Sequence, residues 1–292
     1  MVRMHRILIR LLAGPLLCVP LHAAQAAEPQ TRDITLDGRL TLIDVFAPAR
    51  PTDAAIVFAH GFMRSRITFS DHAAAAAAQG VLALAPDLPY VTDSRKNARA
   101  LIDLVHQLRA GQLGPPVQRV VLVGFSAGAL AALLASHAPG VVGYVGLDAF
   151  DRPGGVGLEA ARALETPVRL LRAPSSFCNA YGISTPWIDA LKRLEADRVI
   201  PLATHCDFES PTDRLCQVFC GSADPVRQAE VRQVLQEAVR DWLLMPAAKA
   251  STTPTVKLFA AEPAAGVNVN ASANSRLTGR AAASPAAVTG AR

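Results

Sequence analysis

The chain is poor in aromatic side chains, at 5% of its 292 residues, and poor in charge, at 18%. Hydrophobic residues reach 51%, which excludes a wholly disordered chain and suits a globular one. Glycine (19) and proline (21) are too few for a collagen-like repeat. The one strongly apolar stretch near the start, Leu11 to Leu21, is too short to cross a bilayer. A basic body is also missing. Basic residues outnumber acidic ones 29 to 24, but Arg3, Arg6, Arg10, Lys249, Lys257, Arg276, Arg280 and Arg292 all lie near the ends. Between them 21 basic residues meet 23 acidic ones, a net charge of −2. A nucleic-acid domain needs a basic face on its folded part, and composition announces none. The five cysteines lack the spacing of a zinc ribbon, which argues against a metal site.

The ends read differently from the middle. Three arginines, the short apolar stretch and Ala24-Gln25-Ala26 make residues 1–26 a secretory signal, with an exported, periplasmic or extracellular chain beginning near Ala27. Export leaves Cys178, Cys206, Cys216 and Cys220, which predict two disulfides with three possible pairings. A Cys216–Cys220 bond is geometrically awkward, because the two sit four apart in an expected helix. From Pro246 to Arg292 the periodicity is lost in Ala, Ser, Thr, Pro and Asn, a low-complexity tail with at most a short strand near Thr255–Phe259. The folded domain is therefore expected over 27–245.

That middle alternates strands and helices. Arg39–Phe46 reads as an antiparallel strand. Ala54–Ala59, Val81–Ala85, Arg119–Val123, Val141–Leu147, Val168–Leu171 and Val199–Leu202 are short apolar runs of the kind buried on both faces of a parallel sheet. Helical stretches separate them: Asp71–Gln79, Asp93–Arg109, Ala127–Ser136, Leu158–Leu164, Pro186–Leu194 and Pro225–Leu244. The order implies an α/β fold, a doubly wound, mostly parallel sheet with helices on both faces. Functional groups in such folds gather at the carboxyl ends of the strands.

Arg119–Val123 runs into Gly124-Phe125-Ser126-Ala127-Gly128 and then an alanine-rich helix. This is G-x-S-x-G in its strand–turn–helix context, where small neighbours let a serine stand at the tip of a sharp turn. Serine needs a base. Of the histidines, His72, His106 and His137 fall in or beside helices, and His60 is placed to shape a loop. His205, on a polar loop after the last strand, is the expected base. The base needs a carboxylate to hold its tautomer. None follows Val168–Leu171, where Arg172 to Asn179 contains no acid, but Asp148 and Asp151 follow the strand before it. Asp148 is preferred, with Asp151 as the alternative. Ser126, Asp148, His205 is the nucleophile–acid–base order of α/β-hydrolases. The N–H groups of Ala127 and Phe62, the latter in His60-Gly61-Phe62, are the expected oxyanion donors.

Across about 35–245 these segments resemble the α/β-hydrolase superfamily, and most closely its branch of chlorophyllase-type esterases and platelet-activating-factor acetylhydrolases. The carriers are His60-Gly61-Phe62, Gly124 to Gly128, Gly146-Leu147-Asp148-Ala149-Phe150 and His205-Cys206-Asp207-Phe208. Cutinase-like enzymes carry the acid one strand later, where this chain has Ser175 and Ser176. The resemblance implies a serine hydrolase that needs no cofactor or metal and cleaves small-molecule or lipid-like esters through an acyl-enzyme. No long insertion separates nucleophile and base, so no large lid is expected. Phe125, Phe150 and Phe177 are candidate pocket residues, and Arg64 and Arg66 are expected on a solvated loop. An acyltransferase or peptidase with the same triad remains open, as does a non-catalytic binding protein on this scaffold.

Overall fold

The computed structural model describes residues 28–245; the expected signal segment, the tail and the strand near Thr255–Phe259 lie outside them. Eight strands form one sheet: β1 (Gln30–Leu36), β2 (Arg39–Phe46), β3 (Ala54–Ala59), β4 (Leu82–Pro86), β5 (Arg119–Phe125), β6 (Val141–Leu147), β7 (Val168–Arg172) and β8 (Leu194–Val199). Their spatial order is β1-β2-β4-β3-β5-β6-β7-β8. β1 and β2 form an antiparallel hairpin and β2 pairs antiparallel with β4, while every other pairing is parallel. The helices are α1 (Ser70–Ala78), α2 (Ser94–Arg109), α3 (Ala127–Ala135), α4 (Val156–Ala163), α5 (Trp187–Ala190), α6 (Arg214–Cys220) and α7 (Pro225–Ala238).

The apolar runs explain the layers. Successive side chains of a strand point to opposite faces, so a run buried throughout must feed two cores. In β3, Ala55, Val57 and Ala59 join the core under α2 and α3, whereas Ala54, Ile56 and Phe58 join the one under α1 and α7. β5 divides the same way, Val120 and Leu122 against Val121, Val123 and Phe125. Helix α2 begins where the Asp93 carboxylate accepts the Lys96 N–H, and α7 where Asp224 accepts from Val226 and Arg227 with Pro225 in the first turn.

Four features depart from the sequence reading. β1 was not anticipated, because four of its seven residues in a row are exposed and its polar sequence hides an edge strand. The last strand is Leu194–Val199 and not Val199–Leu202; it too is an exposed edge, and the apolar Ile200 is buried just beyond its end. The expected helix Pro186–Leu194 shrinks to α5, and the end of Pro225–Leu244 is a π-helical turn, Val239–Leu244. Among the described residues no lid domain covers the carboxyl edge of the sheet. Between β6 and β8 the chain adds only α4, β7, a 3₁₀ turn (Phe177–Asn179), α5 and their loops.

Candidate active site

Ser126 stands between β5 and α3 with φ 53° and ψ −122°, a conformation that costs a non-glycine residue about 1–3 kcal/mol. The neighbouring strand β6 and the loop after it hold it there. Its N–H donates to the Leu147 carbonyl at 3.0 Å, and its carbonyl accepts from Phe150 at 3.1 Å. The turn needs glycine on its far side: a Cβ at Gly128 would lie 2.2 Å from the Ala59 carbonyl oxygen and 2.3 Å from that of His60. Gly61 is fitted less tightly but still closely, since a Cβ there would meet the Phe125 ring at 3.1 Å and the Ser126 Cβ at 3.2 Å. These approaches bring the loop after β3 against the serine.

Asp148 is buried at the end of β6, with φ 38°. Its Oδ2 lies 2.6 Å from His205 Nδ1. Its Oδ1 accepts the Ala173 N–H at 2.9 Å and the Asn179 amide at 3.2 Å. Asp151 is equally buried but faces away. It accepts from the N–H groups of Arg152, Gly157 and Leu158 and from the buried Trp187 indole at 2.8 Å. Its contacts fasten the start of α4 to α5, and the histidine belongs to Asp148.

His205 opens a 3₁₀ turn, His205–Phe208, and its ring packs on Phe125 with centroids 4.5 Å apart. Three devices hold the turn. Asp207, fully buried, accepts from Thr204 and Asp224 N–H groups and pairs with Arg227 at 2.7 Å. A disulfide joins Cys206 to Cys216 of α6, and a second joins Cys178 to Cys220. Glu209 receives a two-pronged contact from Arg64 at 2.6 and 2.7 Å. Burial works against the Arg64 charge, but its bonds to Glu209 and Asp213 outweigh it and raise its pKa. Arg66 pairs with Asp44 and Asp87. Neither arginine is the solvated loop residue expected; both are tied into ion pairs, and Arg64 links the loop after β3 to the His205 segment.

The other histidines occupy different surroundings. His60 Nε2 accepts the Leu88 N–H at 2.8 Å and Nδ1 lies 2.8 Å from the Gly61 carbonyl, an arrangement that requires the neutral ring. Burial lowers its pKa from the ordinary value. Burial, with the Arg232 charge, pushes His72 down to about 3. His106 and His137 are exposed.

A cavity of about 750 Å³ opens at Ser126. Phe62 and Ala127, the expected oxyanion donors, line it with Ser126, and so does Phe150. Phe125 does not line it: the ring is buried beneath His205. Phe177 is 77% exposed and also lies off the cavity wall, where its neighbour Cys178 takes part instead. Exposed Phe62, Met63 and Val91 give the mouth an apolar rim. Among the described residues no group of three or more His, Cys, Asp or Glu side chains is placed to hold a metal ion, and no helix is long and apolar enough to cross a membrane. Sequence reasoning missed Asn179 and the Arg64–Glu209 pair. Both depend on contacts between loops far apart in the chain, for which no local pattern exists.

The model of the alpha/beta hydrolase family matches residues 56–287. No curated protein matches the sequence. Among solved structures the chain is similar to a dienelactone hydrolase from Anabaena variabilis, with TM-score 0.61, 17% identity and coverage of 75% of this chain and 100% of that one. An α/β serine hydrolase without lid from Xanthomonas campestris gives 0.54 at 16% identity, covering 74% and 97%. The esterase domain of a Rhodothermus marinus protein gives 0.56 at 17%, covering 73% and 98%. At these identities the structures speak for the fold alone, and the family match covers most of the sequence. The chain belongs to the alpha/beta hydrolase family.

Proposed function

We propose that the protein is an exported serine hydrolase that cleaves carboxylic esters through an acyl-enzyme. The observation that carries this reading is the His205–Asp148 contact of 2.6 Å, with the His205 ring packed on Phe125, next in the chain to a serine held at positive φ in the wall of a cavity. Asp148 accepts a hydrogen bond from the Nδ1–H of His205, which leaves Nε2 to remove the Ser126 proton as the hydroxyl attacks the ester carbonyl. The N–H groups of Phe62 and Ala127 receive the developing oxyanion. His205 returns the proton to the leaving alcohol, and water then releases the acid by the same steps. The acid at the end of β6 supports the chlorophyllase and acetylhydrolase branch over the cutinase-like one. Two disulfides support an oxidising compartment. A cavity of about 750 Å³ with Phe62, Met63, Leu88, Val91 and Phe150 on its wall suits an ester with a medium apolar group.

The test is turnover of p-nitrophenyl esters from acetate to palmitate by residues 27–292, beside Ser126→Ala. Hydrolysis lost in the variant is the expected result. Acyl transfer to an added alcohol exceeding hydrolysis would assign a transferase. A chain silent toward esters and toward an active-site phosphonate would be a binding protein.

A further inference from the structure

Asp148 has one oxygen for His205, and the chain has built a holder for the other. Asn179 is 2% exposed and donates from Nδ2 to Asp148 Oδ1 and to the Pro174 carbonyl, at 3.2 and 3.0 Å. Its Oδ1 accepts the N–H groups of Ser176 and Gly182, at 2.9 and 3.1 Å. Those two donors fix which end of the amide faces Asp148, because a flipped amide would set NH₂ against N–H. The loop is strained in reaching this position: Ala180 and Tyr181, directly after Asn179, have φ 48° and 57°. Left-handed backbone at two successive non-glycine residues persists only where surrounding contacts impose it. Cys178, directly before Asn179, is bonded to Cys220 at the end of α6. One turn earlier on the same helix, Cys216 is bonded to Cys206, the neighbour of His205. Both side-chain partners of the Asp148 carboxylate therefore sit beside a cystine anchored in α6.

We propose that Asn179 is a positioning residue for the ester reaction: it locks the Asp148 carboxylate so that Oδ2 faces His205, and α6 holds Asn179 and His205 in register through its two disulfides. This rests on the serine-hydrolase reading. Its action runs through Asp148 alone, so its loss should fall on kcat and leave KM nearly unchanged.

The experiment is a double-mutant cycle of Asn179→Ala and Asp148→Asn, read as kcat and KM for p-nitrophenyl butyrate and as the rate of Ser126 labelling by a fluorophosphonate. In the native background Asn179→Ala should lower kcat and labelling about 10- to 100-fold with KM within about twofold; in Asp148→Asn it should cost less than about twofold. Asn179→Asp is the second variant. It keeps an oxygen for Ser176 and Gly182, so the loop retains those bonds, but sets an acceptor against Asp148 Oδ1 and should lose at least as much. Equal losses in both backgrounds, or native rates in Asn179→Asp, would overturn the proposal while the native chain still labels at Ser126. A native chain that does not label at Ser126 would overturn the hydrolase reading, and this proposal with it.

Discussion

Replacing Arg64 with alanine strands a buried carboxylate. Arg64 reaches both oxygens of Glu209, whose side chain is 0% exposed while that of Arg64 is 9% exposed. Removing one partner of so dry a pair costs about 3–5 kcal/mol, chiefly because the other charge stays buried. The second contact, to Asp213, adds little, since that side chain is 55% exposed. Thr212 still donates to Glu209 Oε2 at 3.0 Å and offsets part of the cost. The expected loss is about 3 kcal/mol, or about 6–12 °C in Tm for a domain of this length. Adding Glu209→Gln removes the stranded charge and should restore at least half. Urea unfolding followed by circular dichroism measures both, with ester turnover on the same samples. Turnover should fall even well below Tm, because Arg64 joins the loop carrying Phe62 to the His205 segment. A loss below about 1 kcal/mol, or a double variant no more stable than the single, would refute the clamp.

Gly128→Ala drives a methyl into the carbonyls of Ala59 and His60, backbone atoms that cannot turn aside. It should cost about 1–3 kcal/mol of stability. By parting Phe62 from Ser126 it should also lower kcat about 100-fold or more; native turnover would show that the loop tolerates the shift. Stability should depend on pH through His72, buried and held near 3 against an ordinary 6.5. The folded state resists its protonation, so stability is full above about 6.5 and falls with pH toward 3, by about 1.4 kcal/mol per unit in the steepest range. His60, lowered in the same sense, adds to the slope. Urea midpoints unchanged from pH 7 to 5 would contradict this. Asp151→Ala should destabilise the chain by freeing the Trp187 indole and the start of α4, yet spare most of kcat in the protein that stays folded. A kcat loss as deep as that of Asp148→Ala would move the acid to Asp151.

The layered sheet was legible because buried parallel strands are continuous apolar runs: β3, β5 and β6 stand in the sequence almost as they stand in the fold. The edges were not. β1 and β8 are exposed over most of their length, so their strand character comes from pairing with β2 and β7 and leaves no apolar mark. Within the candidate site, Ser126, Asp148 and His205 stand out in the sequence because each follows a strand in a fixed order, and the structure sets Asp148 Oδ2 2.6 Å from His205 Nδ1. The sequence prefers Asp148 over Asp151 only by its place at the strand end; what separates the two is which groups their carboxylates meet, His205 for the one and the start of α4 with Trp187 for the other. Asn179 was invisible for a related reason. The loop after β7 lacks an acid, and what it offers in its place is an amide to hold an acid from the neighbouring strand. The rim told a similar story: Phe125 reads as a pocket residue by its place beside the serine, but strand alternation turns its ring into the core beneath His205.

Whether Ser126 is the nucleophile is tested most directly by labelling the native chain with a fluorophosphonate, with the modified residue located by peptide mass spectrometry. A serine nucleophile driven by His205 and Asp148 gives a single adduct on Ser126, formed faster than in Asp148→Asn and abolished in Ser126→Ala. No adduct, or one on another residue at the same rate in all three proteins, would contradict it.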